Sequence, residues 1–248
     1  VSSIKAGWVD TQSGQLLQSL GSCPTPQPAT PAVVIEAIAD LLGPHAAKSP
    51  AVGVGFPAVI QQGRARTATN IDASWLGFDG ASALAQRLGR PVSFVNDADA
   101  AGIAEVRFGA GRGLNGHIMV LTFGSGIGSA PFIDGRLLPN TELGKLPLRG
   151  RTAEEYASAR ARTIEGLDFA SWAVRVNEVL ELLHRLLWPD HFVVGGAVSE
   201  HFEQFGPLLR APAPVRAALF RGQAGIVGAA VAAAEAQTRG ACDAGASQ

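Results

Sequence analysis

The residues with the clearest chemical potential are a consecutive asparagine and aspartate, Asn96-Asp97, near the middle of the chain. The apolar run 91–95 predicts a short buried strand before them, and 98–108 predicts a helix after them. Their side chains would then lie at the carboxyl end of a strand, where open α/β sheets bind ligands. A carboxylate in that position can serve as a general base. Helix capping is the alternative, because Asn and Asp are both favoured N-cap residues.

A glycine-rich loop at 124–129, with the sequence GSGIGS, follows a second predicted strand at 118–123. Another apolar run follows the loop, so it predicts a β-hairpin and not a dinucleotide-binding turn, which must open a helix. A P-loop is excluded as well, because the Gly-Lys pair at 144–145 is followed by leucine. The loop could line an anion with its backbone amides, or it could be a plain tight turn.

Composition narrows the class of protein. The chain has 248 residues, of which 47% are hydrophobic, enough for one large domain or two smaller ones. The net charge of −1 gives no electrostatic footprint for nucleic acid or an anionic membrane. Two cysteines, Cys23 and Cys242, cannot form a zinc site alone and favour a reducing cytoplasm. No run of 18 apolar residues and no signal peptide are present, so the sequence predicts a soluble intracellular protein.

Hydrophobic periodicity places the remaining elements. Residues 4–9 and 15–20 predict a hairpin around a turn that ends in Gly14. Trp172 and Trp188 fall on the apolar stripe of a long predicted helix and are assigned to the core. The other predicted elements are a helix from Pro31 to Gly43, a strand at 51–55, a helix at 81–88, helices at 153–162 and 168–187, a strand at 191–194 and a helix at 224–237.

Five motifs, VNDADAAG, LTFGSGIGSA, NTELG, AEEYAS and VVGGAVS, occur in this order along the chain. In order and spacing they resemble the ROK family of sugar kinases, and most closely its polyphosphate-using bacterial glucokinases. The resemblance covers about residues 3–234. It implies an α/β chain with a two-domain, actin-like ATPase (ribonuclease H-like) fold and a sugar cleft between the domains. The implied domains are 1–96 with the helix 224–237, then 97–223, followed by a disordered tail at 238–248.

The resemblance also implies an activity, in which a phosphoryl group passes from polyphosphate or ATP, with Mg²⁺, to the 6-hydroxyl of glucose. Asp97 would be the general base. The implied sugar ligands are Asn70, Asn96, Glu142, Lys145 and Glu154, and the implied phosphate and donor ligands are Thr122, Gly124, Ser125, Gly126, Gly195 and Gly196. A homodimer is the expected assembly, with no resident metal ligands assigned. A catalytically impaired sugar-binding or regulatory protein is the alternative.

Glu142 and Glu154 also have interpretations that need no ligand. Glu142 could be a solvated loop acid paired with Lys145, and Glu154 could serve only the dipole of its helix.

The chain departs from the family pattern at several places. Lys145 stands where the family has histidine, and Ala58 and Ala197 stand where it has glycine. The cysteine cluster that usually binds zinc between the Glu142 loop and Glu154 is absent, as is common among polyphosphate-using members. The family's first strand and its Asp-x-Gly-Gly phosphate loop would precede Ser3. The sequence therefore predicts that an upstream extension would raise activity and stability.

Overall fold

The computed structural model describes residues 3–69 and 71–245, with side chains up to residue 239. The described residues form two compact units, the first lying within 3–103 and 225–245 and the second comprising 104–224. The chain passes from the first unit to the second within one helix and returns at the start of the last helix.

The elements of the first unit, in chain order, are β1 (Ser3–Asp10), β2 (Gln15–Pro24), α1 (Pro31–Leu42), α2 (His45–Lys48), β3 (Val52–Phe56), β4 (Ile60–Gln61), β5 (Arg64–Ala65), α3 (Gly80–Leu88), β6 (Val92–Asn96) and α4 (Asp97–Phe108), which ends in the second unit. Those of the second unit are β7 (His117–Phe123), β8 (Ile127–Ile133), β9 (Arg136–Leu137), β10 (Pro147–Leu148), β11 (Arg151–Thr152), α5 (Ala153–Ala157), α6 (Ala159–Ile164), α7 (Phe169–Leu187), β12 (His191–Gly195), α8 (Phe202–Phe205) and β13 (Val215–Ala217). The last helix, α9 (Ala224–Gly245), belongs to the first unit from Gly225 onward.

In the first unit, β1 and β2 form the predicted antiparallel hairpin, and β3 and β6 form a separate parallel pair. The register of the parallel pair sets Phe56 beside Asn96, so both strands end at the same edge. The core is aromatic: Trp75 is fully buried, 4.4 Å from the Phe56 ring, and its indole N–H donates to the Ala29 carbonyl at 2.8 Å. This core supports the strand that carries Asn96.

Close packing of α9 in the first unit depends on glycine. A Cβ at Gly228 would overlap the Ala100 carbonyl of α4, and one at Gly53 would overlap the Ala229 carbonyl of α9. The small residues of α9 thus allow its backbone to touch both α4 and β3. The residues of α4 that directly follow Asp97, from Ala98 to Ala100, are buried.

The second unit is built on a five-stranded sheet in the order β13-β12-β7-β8-β9. The strands β13, β12 and β7 run parallel to one another, β8 is antiparallel to β7, and β9 is antiparallel to β8. The apolar stripe of α7 packs on this sheet, and fully buried Trp172 donates its indole N–H to the Ala157 carbonyl at 2.9 Å. The end of α5 is therefore tied to the long helix beneath it.

One buried carboxylate organises the end of α4. Glu105 is 1% exposed and accepts hydrogen bonds from the backbone N–H groups of Ala110, Leu219 and Phe220 at 2.9, 3.0 and 2.7 Å. Three amide donors compensate for the burial of the charge. Glu105 thus fixes the segment that follows β13.

Three sequence predictions are wrong in detail. The helix predicted at 153–162 is two helices, because Ser158 is extended at ψ 161° and caps α6 through the Ala161 N–H. Trp188 is 72% exposed, since it adopts a left-handed conformation and ends α7. The tail predicted to be disordered from Thr238 is helical to Gly245, because α9 continues through it. Residues 246–248 lie outside the described part.

In the parts of the chain that the structure describes, no helix has the length and apolar character needed to cross a lipid bilayer.

Candidate functional site

Asn96 is the N-cap of α4. Its side-chain oxygen accepts from the backbone N–H groups of Ala98 at 2.9 Å and Asp99 at 3.1 Å, and its amide nitrogen donates to the Ala58 carbonyl at 3.0 Å. The residue is 7% exposed. An amide nitrogen carries two hydrogens, so the contact with Ala58 leaves a second one. Capping, the alternative interpretation of the sequence, therefore accounts for both oxygen contacts of Asn96.

Asp97, by contrast, is exposed, although it begins the same helix. One carboxylate oxygen lies 2.9 Å from the Ala98 N–H. Neighbouring protein atoms displace part of the surrounding water, and this desolvation raises the pKa of Asp97 above its ordinary value. Asp97 thus combines access with a raised basicity, the two properties that a general base requires.

The methyl group of Ala58 lies in the core of the first unit, where the residue is 3% exposed. The methyl group that this departure from glycine adds therefore faces the core of the first unit. Its backbone carbonyl, which alanine and glycine share, makes the contact with Asn96.

In the second unit, the glycine-rich loop is a three-residue hairpin turn. Phe123 pairs with Ile127, and the Gly124 N–H donates to the Gly126 carbonyl at 2.9 Å across the turn. The Gly124 carbonyl accepts from the Arg160 N–H at 3.0 Å, which holds the loop against the start of α6. Ser125, at the tip, is exposed. The loop therefore presents a fixed backbone and one hydroxyl to solvent.

The second glycine segment lies beside the strand that leads into this loop. Gly195 pairs with Thr122 across β12 and β7. Gly196 has φ +85°, and a Cβ there would lie 2.5 Å from the Phe123 carbonyl oxygen and 2.7 Å from its nitrogen. Only glycine fits this position, for both reasons. The predicted donor residues Thr122, Gly195 and Gly196 are therefore adjacent at one edge of the sheet.

Ser129, which the sequence motifs did not mark as a site residue, holds the segment at 141–143 in place. Its buried hydroxyl bonds to the Thr141 carbonyl at 2.9 Å and accepts from the Leu143 N–H at 3.2 Å. The Thr141 hydroxyl donates back to the Ser129 carbonyl at 2.9 Å. The serine in the GSGIGSA motif was the available signal, since a serine inside a buried strand needs a partner.

Lys145 and Glu154 form a salt bridge next to the loop. The Lys145 ammonium contacts Glu154 Oε1, and Glu154 Oε2 accepts from the Ile127 N–H at 3.4 Å. Gly144 lets this turn approach β8, because a Cβ there would overlap the Ile127 carbonyl. Glu142 precedes the same turn and is exposed. The ion pair that the sequence suggested for Glu142 and Lys145 is thus made with Glu154.

The helix α5 that carries Glu154 is held by a capping box and a charged cluster. Thr152 and Glu155 form the capping box. The cluster surrounds Tyr156: the guanidinium groups of Arg151 and Arg175 lie over its ring at 5.2 and 4.9 Å, and both contact Glu165. These contacts lower the pKa of Glu165 to about 2, mainly through Arg175 and then Arg151. They connect α5, β11, α6 and α7 around the base of Glu154.

The structure brings most of the predicted second-unit residues together around the carboxyl ends of β7 and β12. Among the described residues, no three His, Cys, Asp or Glu side chains come together as a metal site. In the first unit, Asn96 ends β6 beside the last residue of β3, and Asp97 follows it as the first residue of α4. Asn70 lies outside the described residues, so its predicted role stays a prediction.

Comparison with known proteins agrees with these motifs. A sequence model described as ROK family matches residues 2–145. The polyphosphate glucokinase of Mycobacterium tuberculosis is 42% identical over 232 residues, covering 93% of this chain and 87% of that protein. The polyphosphate glucokinase of Mycobacterium leprae is also 42% identical over 232 residues, which cover 93% of this chain and 71% of that protein.

Solved structures agree as well. An inorganic polyphosphate/ATP-glucomannokinase from Arthrobacter sp. strain KM has a TM-score of 0.87 and 44% identity, with 93% of this chain and 94% of that chain covered. A ROK family glucokinase from Streptomyces griseus, solved with glucose and AMPPNP, has a TM-score of 0.81 and 26% identity, with 94% and 96% covered. The predicted actin-like sugar kinase fold is confirmed, and the chain belongs to the ROK family.

Proposed function

We propose that the chain is a glucokinase that transfers a phosphoryl group from polyphosphate or ATP to the 6-hydroxyl of glucose. The names of its relatives support this activity, since they include polyphosphate glucokinases and a polyphosphate/ATP-glucomannokinase. The structural observation that carries the proposal is the contrast at the start of α4. The side-chain oxygen of Asn96 is used in capping, whereas Asp97 is exposed and has a raised pKa.

In the proposed reaction, Asp97 accepts the proton of the 6-hydroxyl as that oxygen bonds to the terminal phosphorus of the donor. The bond between that phosphorus and the bridging oxygen breaks, and the shortened polyphosphate or ADP leaves with the electron pair. Phosphoryl transfer depends mainly on positioning and charge stabilisation. One correctly placed carboxylate is therefore a sufficient protein base.

We propose that the donor is held by the glycine-rich loop. The Gly124 amide is used inside the turn, so the groups assigned to the transferring phosphoryl are the Ser125 hydroxyl and the amides of Ser125 and Gly126. Thr122, Gly195 and Gly196 would lie along the rest of the donor, since the two glycines let its phosphates approach the backbone closely.

We propose that Asn70, Asn96, Glu142, Lys145 and Glu154 hold ring hydroxyls of the sugar. For Asn96 this contact would use the second amide hydrogen, because the first serves Ala58. For Lys145 and Glu154, the salt bridge supplies both a donor and an acceptor to a hydroxyl.

We propose that Mg²⁺ enters as the complex with the donor phosphates. This agrees with the general behaviour of Mg²⁺ in kinases, which binds mainly to substrate phosphates and one or two carboxylates.

The test is a coupled assay for glucose 6-phosphate with polyphosphate and with ATP as separate donors, in magnesium buffer. We expect turnover with both and a higher kcat/KM with polyphosphate, since the relatives at 42% identity are polyphosphate glucokinases. Glucose binding without turnover would support the alternative, a sugar-binding or regulatory protein. The same preparations test the proposed homodimer by light scattering, and cell fractionation tests the proposed cytoplasmic location.

A further inference from the structure

The carboxylate of Glu154 lies directly against the backbone of the glycine-rich loop. Its Oε2 faces the Ile127 N–H at 3.4 Å, and a Cβ on Gly126 would overlap the same oxygen. A charge in this position acts on any anion that the loop binds, because partly buried charges are screened weakly. The Glu154 side chain is only 20% exposed.

Lys145 supplies the opposite charge at this point. Its ammonium contacts Glu154 Oε1, and its side chain is 37% exposed. The Lys145 backbone N–H donates to the Glu142 carbonyl at 3.0 Å within a 3₁₀ turn, and Gly144 packs against the Ile127 carbonyl. The turn thus holds the lysine beside the loop, where the pair has no net charge.

We propose that Lys145 is a charge-compensating residue that allows the glycine-rich loop to accept a polyanionic phosphoryl donor. The proposal rests on the proposed function, because it takes the loop to be the donor site. Without the lysine, the carboxylate of Glu154 would face the donor phosphates as an uncompensated like charge. A neutral side chain at 145 could still hydrogen-bond a sugar hydroxyl, but it could not cancel this charge.

Four variants separate charge compensation from sugar binding: Lys145→Met, Lys145→Arg, Glu154→Gln and the double variant Lys145→Met with Glu154→Gln. The probe is sodium tripolyphosphate, titrated by calorimetry at fixed magnesium and without glucose, at low and high salt. Circular dichroism and melting temperature show that each variant is folded. Glucose affinity and the KM values for glucose and polyphosphate are measured on the same preparations.

Lys145→Met is expected to weaken tripolyphosphate binding about tenfold at low salt and by less at high salt, as for an electrostatic interaction. Lys145→Arg, which keeps the charge, should stay within about threefold of the original protein. Adding Glu154→Gln to Lys145→Met should recover most of the lost tripolyphosphate affinity, because it removes the carboxylate that the lysine compensates. Glucose affinity should remain impaired in that double variant.

The proposal would be overturned if Lys145→Met left tripolyphosphate binding unchanged, or if the double variant bound tripolyphosphate no better than Lys145→Met alone. Absence of tripolyphosphate binding by the original protein would overturn it as well. The proposed function fails separately, if the original protein makes no glucose 6-phosphate while tripolyphosphate binding still follows the expected pattern. That result would establish charge compensation in a protein that binds polyphosphate without using it on glucose.

Discussion

The amide nitrogen of Asn96 donates to the carbonyl of Ala58 at 3.0 Å, so the turn after β3 fixes the residue that precedes Asp97. The oxygen of the same side chain caps α4. Both ends of one amide are therefore needed to set the first turn of the helix. The orientation of Asp97 depends on this arrangement, since Asp97 is the first residue of α4.

Asn96→Asp should destabilise the protein even though aspartate is as good a cap as asparagine. The substitution removes the donor to the buried Ala58 carbonyl, which costs about 1–3 kcal/mol. Urea unfolding measures the change in the free energy of unfolding. The control is Asp168→Asn at the exposed cap of α7, where the acceptor for Ser171 is kept and a change within about 0.5 kcal/mol is expected. Equal losses of stability in the two variants would show that the contact with Ala58 does not contribute to the free energy of unfolding.

Asp97→Asn should lower kcat by at least about a hundredfold, because the amide cannot accept the proton of the attacking hydroxyl. Glucose affinity should stay within about tenfold, since one hydrogen bond is at stake. The coupled assay and glucose calorimetry give the two quantities. Asp72→Asn is the matched control, because Asp72 is a half-buried N-cap and an asparagine there can keep the contact with the Ser74 N–H. Turnover near the original value in Asp97→Asn would exclude Asp97 as the base.

Asp97 should also make stability depend on pH. Because desolvation raises its pKa in the folded state, its contribution to stability is complete below the unfolded-state pKa and is lost as the pH rises through the folded-state pKa. At pH 7, Asp97→Asn should therefore melt at the same or a higher temperature than the original protein, and the difference should close below the ordinary value of 3.8. The acidic limb of kcat/KM should likewise lie above the pH at which an ordinary aspartate titrates. A less stable Asn variant at pH 7 would contradict the raised pKa.

Much of the fold was predictable because its elements carry strong local signals. The hairpin β1–β2, α1 between Pro31 and Gly43, and α7 all follow turn residues, breakers and helical periodicity. The break between α5 and α6 at Ser158 was not predicted, because the helical periodicity of the sequence continues across it and the interruption depends on a serine cap. Trp188 escaped for a similar reason: it continues the apolar stripe in sequence, but the helix ends there in a left-handed residue.

The sequence names candidate site residues, whose roles stay predictions, but it does not give the contacts that hold them in place. The motifs identified Asp97, Glu154 and the glycine loop, yet the pairing of Lys145 with Glu154 depends on the β10–β11 hairpin between them. The contact between Ser129 and Thr141 likewise joins two separate motifs. Contacts of this kind arise from tertiary packing, which local periodicity does not encode.

Gly196→Ala should strongly destabilise the protein, whereas Gly124→Ala should not. At Gly196 the backbone conformation and the overlap with Phe123 both exclude a side chain, and we expect a loss of at least about 2 kcal/mol. At Gly124 a Cβ meets nothing within 4 Å, so stability should change by less than about 0.5 kcal/mol. If Gly124 belongs to the donor site, the KM for polyphosphate should nevertheless rise in its variant. Comparable losses of stability in the two variants would contradict the packing described for Gly196.

The cluster around Tyr156 should stabilise the protein in a way that depends on acid. The contacts of Arg175 and Arg151 lower the pKa of Glu165 to about 2 in the folded state. A lowered pKa contributes stability that is present above the unfolded-state pKa, near 4.5, and is lost as the pH falls through 2. The original protein should therefore melt at a higher temperature than Glu165→Gln at pH 6, and the difference should shrink between pH 4.5 and 2. Salt should reduce it as well, because the side chains of Arg151 and Glu165 are 38% and 31% exposed.

Glu203→Gln, at an exposed glutamate of α8, serves as the control and should show no such pH dependence. A difference for Glu165→Gln that stays constant from pH 6 to pH 2 would mean that the cluster acts through packing of the side chains and not through the charge of Glu165.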